Sequence, residues 1–289
     1  FGLVSSVVDV TLSLLSLRFE VLRVMYSWAQ SWGFESEIVV SLIFAGALAM
    51  LSTLVSLPFS VYSTFVIEER HGFNKTTVRT FVLDLLKVQA LTVVLGAPIL
   101  SLVIWIVQST GPAFFYYLFA FVLMLQLAMV AFLFDWITRC FNKVSSLEDG
   151  ELRSAINDLC KRVGFNLSVV YKIDSSQRSS HSNAYFFGFW RWKKLVIYDS
   201  LLVKEDGSPN DLADIMAVVG HELTHWRRSH TLKLMTVQLP IMFCYFYALS
   251  FFIHDDALHR AFGFVTEKPV IVGLVLFSKL FEPLDMVFE

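Results

Sequence analysis

Six stretches of this chain are apolar over about the length that a helix needs to cross a bilayer, roughly 20 residues. They cover residues 4–26, 38–57, 82–108, 113–136, 232–253 and 269–287, the first interrupted by Asp9, Arg18, Glu20 and Arg23. In hydrocarbon the backbone must satisfy its own hydrogen bonds, which a helix does within one segment. Composition agrees, since 56% of the residues are apolar against about 45–50% in soluble domains. The expected fold class is therefore an all-α multi-pass membrane protein, with about six spans present, carrying a small α+β insert.

That insert is where the charge collects. Residues 138–231 separate spans one to four (1–137, with a loop at 58–81) from spans five and six (232–289). Within it, Leu152, Ile156, Leu159 and Val163 recur at helical spacing, and Gly164 supplies a stop. The runs "SVVYKI" and "KKLVIYDSLL" are β-branched and aromatic, the pattern of strands. "KEDGSPNDL" reads as a loop, after which Asp211 is a candidate cap for a helix through "HELTHW". Spans three and four are joined only by "STGP", so the 58–81 loop and the insert fall on one side. Both carry Lys and Arg (Arg70, Lys75, Arg79; Arg139, Lys143, Arg153), which assigns that side to the cytosol.

Other classes find little support. Net charge is −2, which gives no electrostatic case for nucleic acid. Cys140, Cys160 and Cys244 are widely spaced and form no CxxC pair, so they are expected to be buried free thiols. The chain opens at Phe1 and closes at Glu289 inside apolar runs, and is expected to be a fragment lacking both ends.

The chemistry sits in "GHELTHW". On a helix, positions four apart share a face, so His221 and His225 can present two imidazole nitrogens to one tetrahedral Zn²⁺. Glu222, next to the first ligand, can then activate a zinc-bound water for peptide hydrolysis. The flanking apolar residues make the two histidines costly to bury without a partner such as a metal, and Gly220 removes bulk beside the first ligand. His230 falls outside the spacing and is a structural or substrate-side group. A third ligand is unaccounted for: Glu267, Glu282 and Glu289 are the only glutamates downstream, and Glu267 falls in a loop on the far side. "RSSHSNAYFFGFWRWKKLVIYDSLL" reads as a hairpin, either structural or with an edge open to an extended substrate, where Asn183 could bond the substrate backbone. Glu68, Glu69, Arg70 and His71 read as a solvated connector.

Three separated motifs, "TFVIEERHGFNKTT", "SSHSNAYFFGF" and "GHELTHWRRSHT", together resemble the type I CAAX prenyl proteases, integral-membrane zinc endopeptidases that process farnesylated a-factor and prelamin A. The resemblance runs in order from about Leu42 to the end of the chain. It implies seven long helices around an intramembrane chamber, one Zn²⁺ per chain, and cleavage of prenylated CAAX proteins in the endoplasmic reticulum membrane, continuous with the inner nuclear membrane. By motif match, His221 and His225 are metal ligands, Glu222 the catalytic base and Asn183 a substrate-binding residue. The family's third ligand is a glutamate in an E-x-x-A-D helix, expected here beyond residue 289, and its first span is expected before Phe1. The chain as it stands is accordingly expected to bind zinc weakly and to be inactive. A membrane-protein quality-control protease and a catalytically inactive membrane scaffold are the competing functions.

Overall fold

The computed structural model describes residues 11, 20–174, 184–187, 193–203 and 208–288, with only the backbone for 230–232 and 280–288. Long apolar helices dominate. After α1 (Val21–Gln30) comes α2 (Glu37–Tyr62), which continues through a π-helical turn, Ser63–Glu68. Next are α3 (Val78–Leu91), a π turn Thr92–Gly96 and α4 (Ala97–Thr110). Then follow α5 (Phe114–Ala128), a π turn Met129–Leu133 and α6 (Phe134–Phe141). By length and composition, Glu37–Glu68, Val78–Phe141 and Lys233–Phe252 can each cross a membrane, and Val270–Lys279 is a shorter apolar helix. The 64-residue run Val78–Phe141 breaks at Gly111, whose φ of 57° and ψ of −145° lie outside helical space. Two expected spans thus form one nearly continuous helical stretch with a glycine–proline turn inside it. The chain is a multi-pass membrane protein with a small mixed sheet, as expected; the apolar run before residue 20 lies almost wholly outside the described residues.

The remaining elements are β1 (Val144–Ser146), α7 (Glu151–Val163), β2 (Leu167–Ile173), β3 (Ala184–Phe187), β4 (Lys193–Tyr198), α8 (Asp199–Leu202), α9 (Leu212–Arg227), α10 (His230–Phe252), α11 (Asp256–Ala261) and α12 (Val270–Phe288). They fall into two compact units. One takes the described parts of 1–60, 90–122 and 240–289; the other comprises 61–89 and 123–239.

In the first unit, Leu22, Tyr26, Val40 and Phe44 pack with Ile271, Val272 and Leu276, while Ile104, Phe114 and Leu118 pack with Leu249, Ile253 and Phe277. Glu37 ties the helices together: its carboxylate accepts from Gln108 Nε2 at 2.7 Å and from the Val270 N–H at 2.8 Å, satisfying the first amide of α12. Outward residues such as Trp105 and Ile241 are large, apolar and exposed, which suits hydrocarbon rather than water. Gly273 permits a close approach in this unit. A Cβ placed there would stand 2.5 Å from the Ile253 carbonyl oxygen, the small-residue contact through which membrane helices meet.

The second unit holds a four-stranded sheet in the order β1-β2-β4-β3, with β2 and β4 parallel and the other pairs antiparallel. Leu195, Val196 and Ile197 of β4 are all buried, as a strand covered on both faces requires. On one face, Ala184, Phe186, Leu195 and Ile197 pack with Ile156 and Cys160 of α7 and with Ile215, Val219 and Leu223 of α9. On the other, Phe134 of α6 meets the rings of Tyr185 and Phe187, each at 5.8 Å, and Asp135 pairs with Lys194 at 3.1 Å.

Local expectations mostly hold. α7 carries its apolar stripe inward and ends at Gly164 with φ 74°. "DSLL" departs from the strand reading and forms α8, because Asp199 Oδ1 accepts the Ser200 N–H and opens a helical turn. The cysteines are free but not uniformly buried: Cys160 is buried and its thiol is pushed up to about 11, Cys140 is half-buried and Cys244 is exposed on α10. A thiol on an apolar membrane helix faces no penalty in facing outward.

Two substitutions test this packing. Gly273→Leu is expected to cost about 1–3 kcal/mol through overpacking and to lower the thermal midpoint in detergent, with Gly273→Ala smaller in effect. Leu195→Ala, at a site with no exposed surface, is expected to cost about 2–5 kcal/mol, measured by chemical denaturation followed through the insert's tryptophans.

Candidate metal centre

The side chains expected to carry the chemistry, His221, Glu222 and His225, lie on α9. Ile215, Val219 and Leu223 recur every four residues and are buried against the sheet. His221 and His225 lie two positions further on, about 200° around the helix at 100° per residue. Both are therefore exposed. The cost of burying them, expected to favour a metal, does not arise, since the apolar stripe is what is buried. Geometry carries the case instead. The two Nε2 atoms stand 3.2 Å apart, with ring centroids 4.9 Å apart and planes inclined by 68°. Two nitrogens each about 2.0–2.1 Å from one tetrahedral ion would be about 3.3 Å apart. The observed separation is close to that spacing.

Glu222 is half-buried between them in sequence, and no described residue bonds to its carboxylate. Gly220 matters less than expected: nothing lies within 4 Å of a Cβ built there, and its carbonyl accepts from Thr224 Oγ1 at 3.0 Å. Asp211 occupies the cap position of α9, though its side chain makes no capping bond. Among the described residues no group of three His, Cys, Asp or Glu side chains gathers as a metal site. Asn183 and the His230 side chain lie outside the described residues. His71 sits in an exposed turn, as a connector should.

Sequence reasoning missed how the far end of α9 is held. Lys193 places its ammonium 4.0 Å from the Trp226 ring centroid and 4.9 Å from that of Phe165, and these two rings meet edge to face at 4.7 Å. Desolvation there lowers the lysine's pKa from its ordinary value. Trp226 directly follows His225, so this cation–π stack anchors the turn bearing the second imidazole. "WRWKKLV" held a basic and aromatic signal, but adjacency to Trp226 exists only in three dimensions. Beyond it, Ser229 at φ 52° breaks the helix before α10 begins. On the sheet's other face, burial pushes the Tyr185 phenol up to about 12, with Tyr198 and Asp135 adding to the rise.

Known proteins match along the whole of this arrangement. A family model described as CAAX prenyl protease N-terminal, five membrane helices, matches residues 1–143, and one described as peptidase family M48 matches 146–287. The CAAX prenyl protease 1 homolog of Dictyostelium discoideum is 36% identical, over 99% of this chain and 67% of that protein. The chain belongs to the CAAX prenyl protease 1 family. The homolog from Arabidopsis thaliana is 41% identical over 87% of this chain and 58% of its own length. CAAX prenyl protease 1 of Saccharomyces cerevisiae is 36% identical over 88% of this chain and likewise 58% of its own length. The crystal structure of S. mikatae Ste24p superposes with a TM-score of 0.90 at 31% identity, over all of this chain and 70% of that one. The chain thus spans about three-fifths of the length of the Arabidopsis and yeast relatives. The M48 peptidase match implies a metal cofactor, which the histidine pair suits.

Lys193→Met is expected to remove about 0.5–2 kcal/mol, seen as a lower thermal midpoint of the insert. Lys193→Arg, which keeps a cation over both rings, should retain most of the stability.

Proposed function

We propose that the protein is a zinc metalloendopeptidase of the endoplasmic reticulum membrane that cleaves the C-terminal CAAX tails of prenylated proteins. The observation carrying this reading is the 3.2 Å separation of the His221 and His225 Nε2 atoms, with Glu222 on the same helical turn. When bound, zinc would lower the pKa of a coordinated water toward ~7 and polarise the scissile carbonyl.

The chain's own residues do the rest. His221 and His225 would hold the ion. The third protein ligand, a glutamate by family likeness, is proposed beyond residue 289. Glu222 accepts a proton from the attacking water and returns it to the departing amine, the dual role of a general base and acid. β3 is an edge strand, pairing only with β4 among the described residues, and α9 packs along it. An extended substrate adding to that edge would have its backbone amides satisfied. Asn183, immediately before β3, is proposed to bond the substrate backbone there.

Two measurements test this on the full-length, zinc-loaded, membrane-embedded parent of this chain. Glu222→Gln is expected to keep its zinc by elemental analysis and to lose turnover by about 10²-fold or more, whereas His225→Ala should lose the zinc itself. Undiminished cleavage by Glu222→Gln would overturn the base. A farnesylated peptide is expected to be cut faster than its unprenylated twin; equal rates would favour general clearance of membrane proteins instead.

A further inference from the structure

Where α1 ends and where α2 and α12 begin, the first unit holds a cavity of about 490 Å³. Three carboxylates line it, those of Glu35, Glu37 and Glu267, together with the Tyr26 phenol and the Phe34 ring. We propose that this cavity binds the primary ammonium headgroup of a phosphatidylethanolamine drawn from the surrounding bilayer. The proposal is independent of the peptidase reading and of the histidine pair.

Charge is the first observation. Glu37 accepts from Gln108 and from the Val270 N–H, and Glu267 accepts from Gln30. Those donors are neutral, so they satisfy lone pairs and leave the negative charges in place. Lys268 also lines the cavity, but its ammonium is taken up by Asp256 at 2.6 Å. His254 adds no cation, because burial lowers its pKa from the ordinary value and leaves the ring neutral at pH 7. Carboxylates gathered around one space repel each other unless something cationic joins them.

The second observation is an unanswered hydroxyl. Tyr26 is only 4% exposed, its ring held edge-on by Phe44 and Phe264 at 5.7 and 5.9 Å. It lines the cavity with its phenol in electrostatic range of Glu37 and Glu267, yet that phenol makes no hydrogen bond among the described residues. A buried hydroxyl is costly to leave without a partner. Glu35 and Glu267 are exposed at the mouth, so the free phenol and half-buried Glu37 mark the deep end.

The third observation selects the cation. Among the described residues no three acidic or histidine side chains converge as a metal site, which disfavours a bare ion. The volume instead falls in the range of small-molecule sites, about 300–1,000 Å³. Quaternary ammonium groups have no N–H to donate and are recognised by cages of aromatic faces. Here the polar lining consists mainly of acceptors, and a primary ammonium brings three donors to them. Position then selects the lipid. The outer side of α1 carries the exposed, paired rings of Trp28 and Trp32, 5.5 Å apart, and tryptophans so placed sit at headgroup level in a bilayer.

The test is native mass spectrometry of the full-length, zinc-loaded parent, released from micelles holding equal amounts of phosphatidylethanolamine and phosphatidylcholine. The wild type is expected to retain one phosphatidylethanolamine by about tenfold or more over phosphatidylcholine, the effect of one hydrogen bond to a charged group. Tyr26→Phe, which keeps the ring packing, should bring that ratio toward one, as should Glu35→Gln combined with Glu267→Gln. Only folded, zinc-bearing ions are counted, so the ratio does not depend on how much of a variant folds. Equal retention of the two lipids by the wild type would overturn the proposal. An unchanged ratio in either variant would do the same, by placing the lipid elsewhere. Free ethanolamine at the lipid's concentration should displace little of it; full displacement would make a soluble amine the ligand and defeat the lipid assignment. Retention of an added lysine-rich peptide in place of both lipids would assign the cavity to a protein segment and defeat it equally.

Discussion

The burial of Ile215, Val219 and Leu223 against the sheet is the constraint on which the centre depends. Three apolar side chains one turn apart leave α9 a single rotational setting, and that setting turns His221 and His225 outward together. Each buried side chain contributes on the order of 1.5–3 kcal/mol, far more than any single polar contact at the helix surface. The imidazoles are thus oriented by hydrophobic packing on the far side of the helix rather than by hydrogen bonds of their own. The Lys193–Trp226–Phe165 stack completes the arrangement at the helix end.

The sheet serves two faces. Its inner face receives α7 and α9, while its other face receives α6, the tail of a long apolar helix. The Asp135–Lys194 pair is part-buried, with side chains 21% and 23% exposed, and Lys194 also lies over the Phe187 and Tyr171 rings. Asp135 is also paired with Arg139 at 3.5 Å, so removing Asp135 leaves Lys194 without its carboxylate whereas removing Lys194 leaves Asp135 still paired; the contact fixes how α6 sits on β4 more than it adds net stability. Because α6 and β3 together wall a small aromatic cavity, the same contacts that attach helix to sheet also shape it.

In the first unit, polar groups among apolar helices are few and mostly answered. Glu37 is bonded through both oxygens, and Gln30 donates to Glu267 at 2.7 Å. Buried His259 bonds the Asp255 carbonyl oxygen through Nδ1, while its Nε2 has no partner among the described residues. Where water is scarce each such bond counts for more, because the alternative is an unsatisfied group.

Much of this was legible in the primary structure. Apolar run length marked the membrane helices, a period of four in Leu152–Ile156 marked α7, and the spacing of His221 and His225 put two imidazoles on one face, because these signals arise within one or two helical turns. Pro58 and Pro240 interrupt helices without ending them, since a membrane segment has no competing water to solvate a break. Other features were not legible, because they depend on residues distant in sequence. The parallel pairing of β2 with β4, the exposure of the histidines, the cation–π anchor linking Lys193 to Trp226 and the cavity joining Met129 to Phe187 all follow from how the sheet is ordered. Local periodicity determines which face of an element is apolar; only the tertiary structure decides what that face meets, and therefore where the opposite face points.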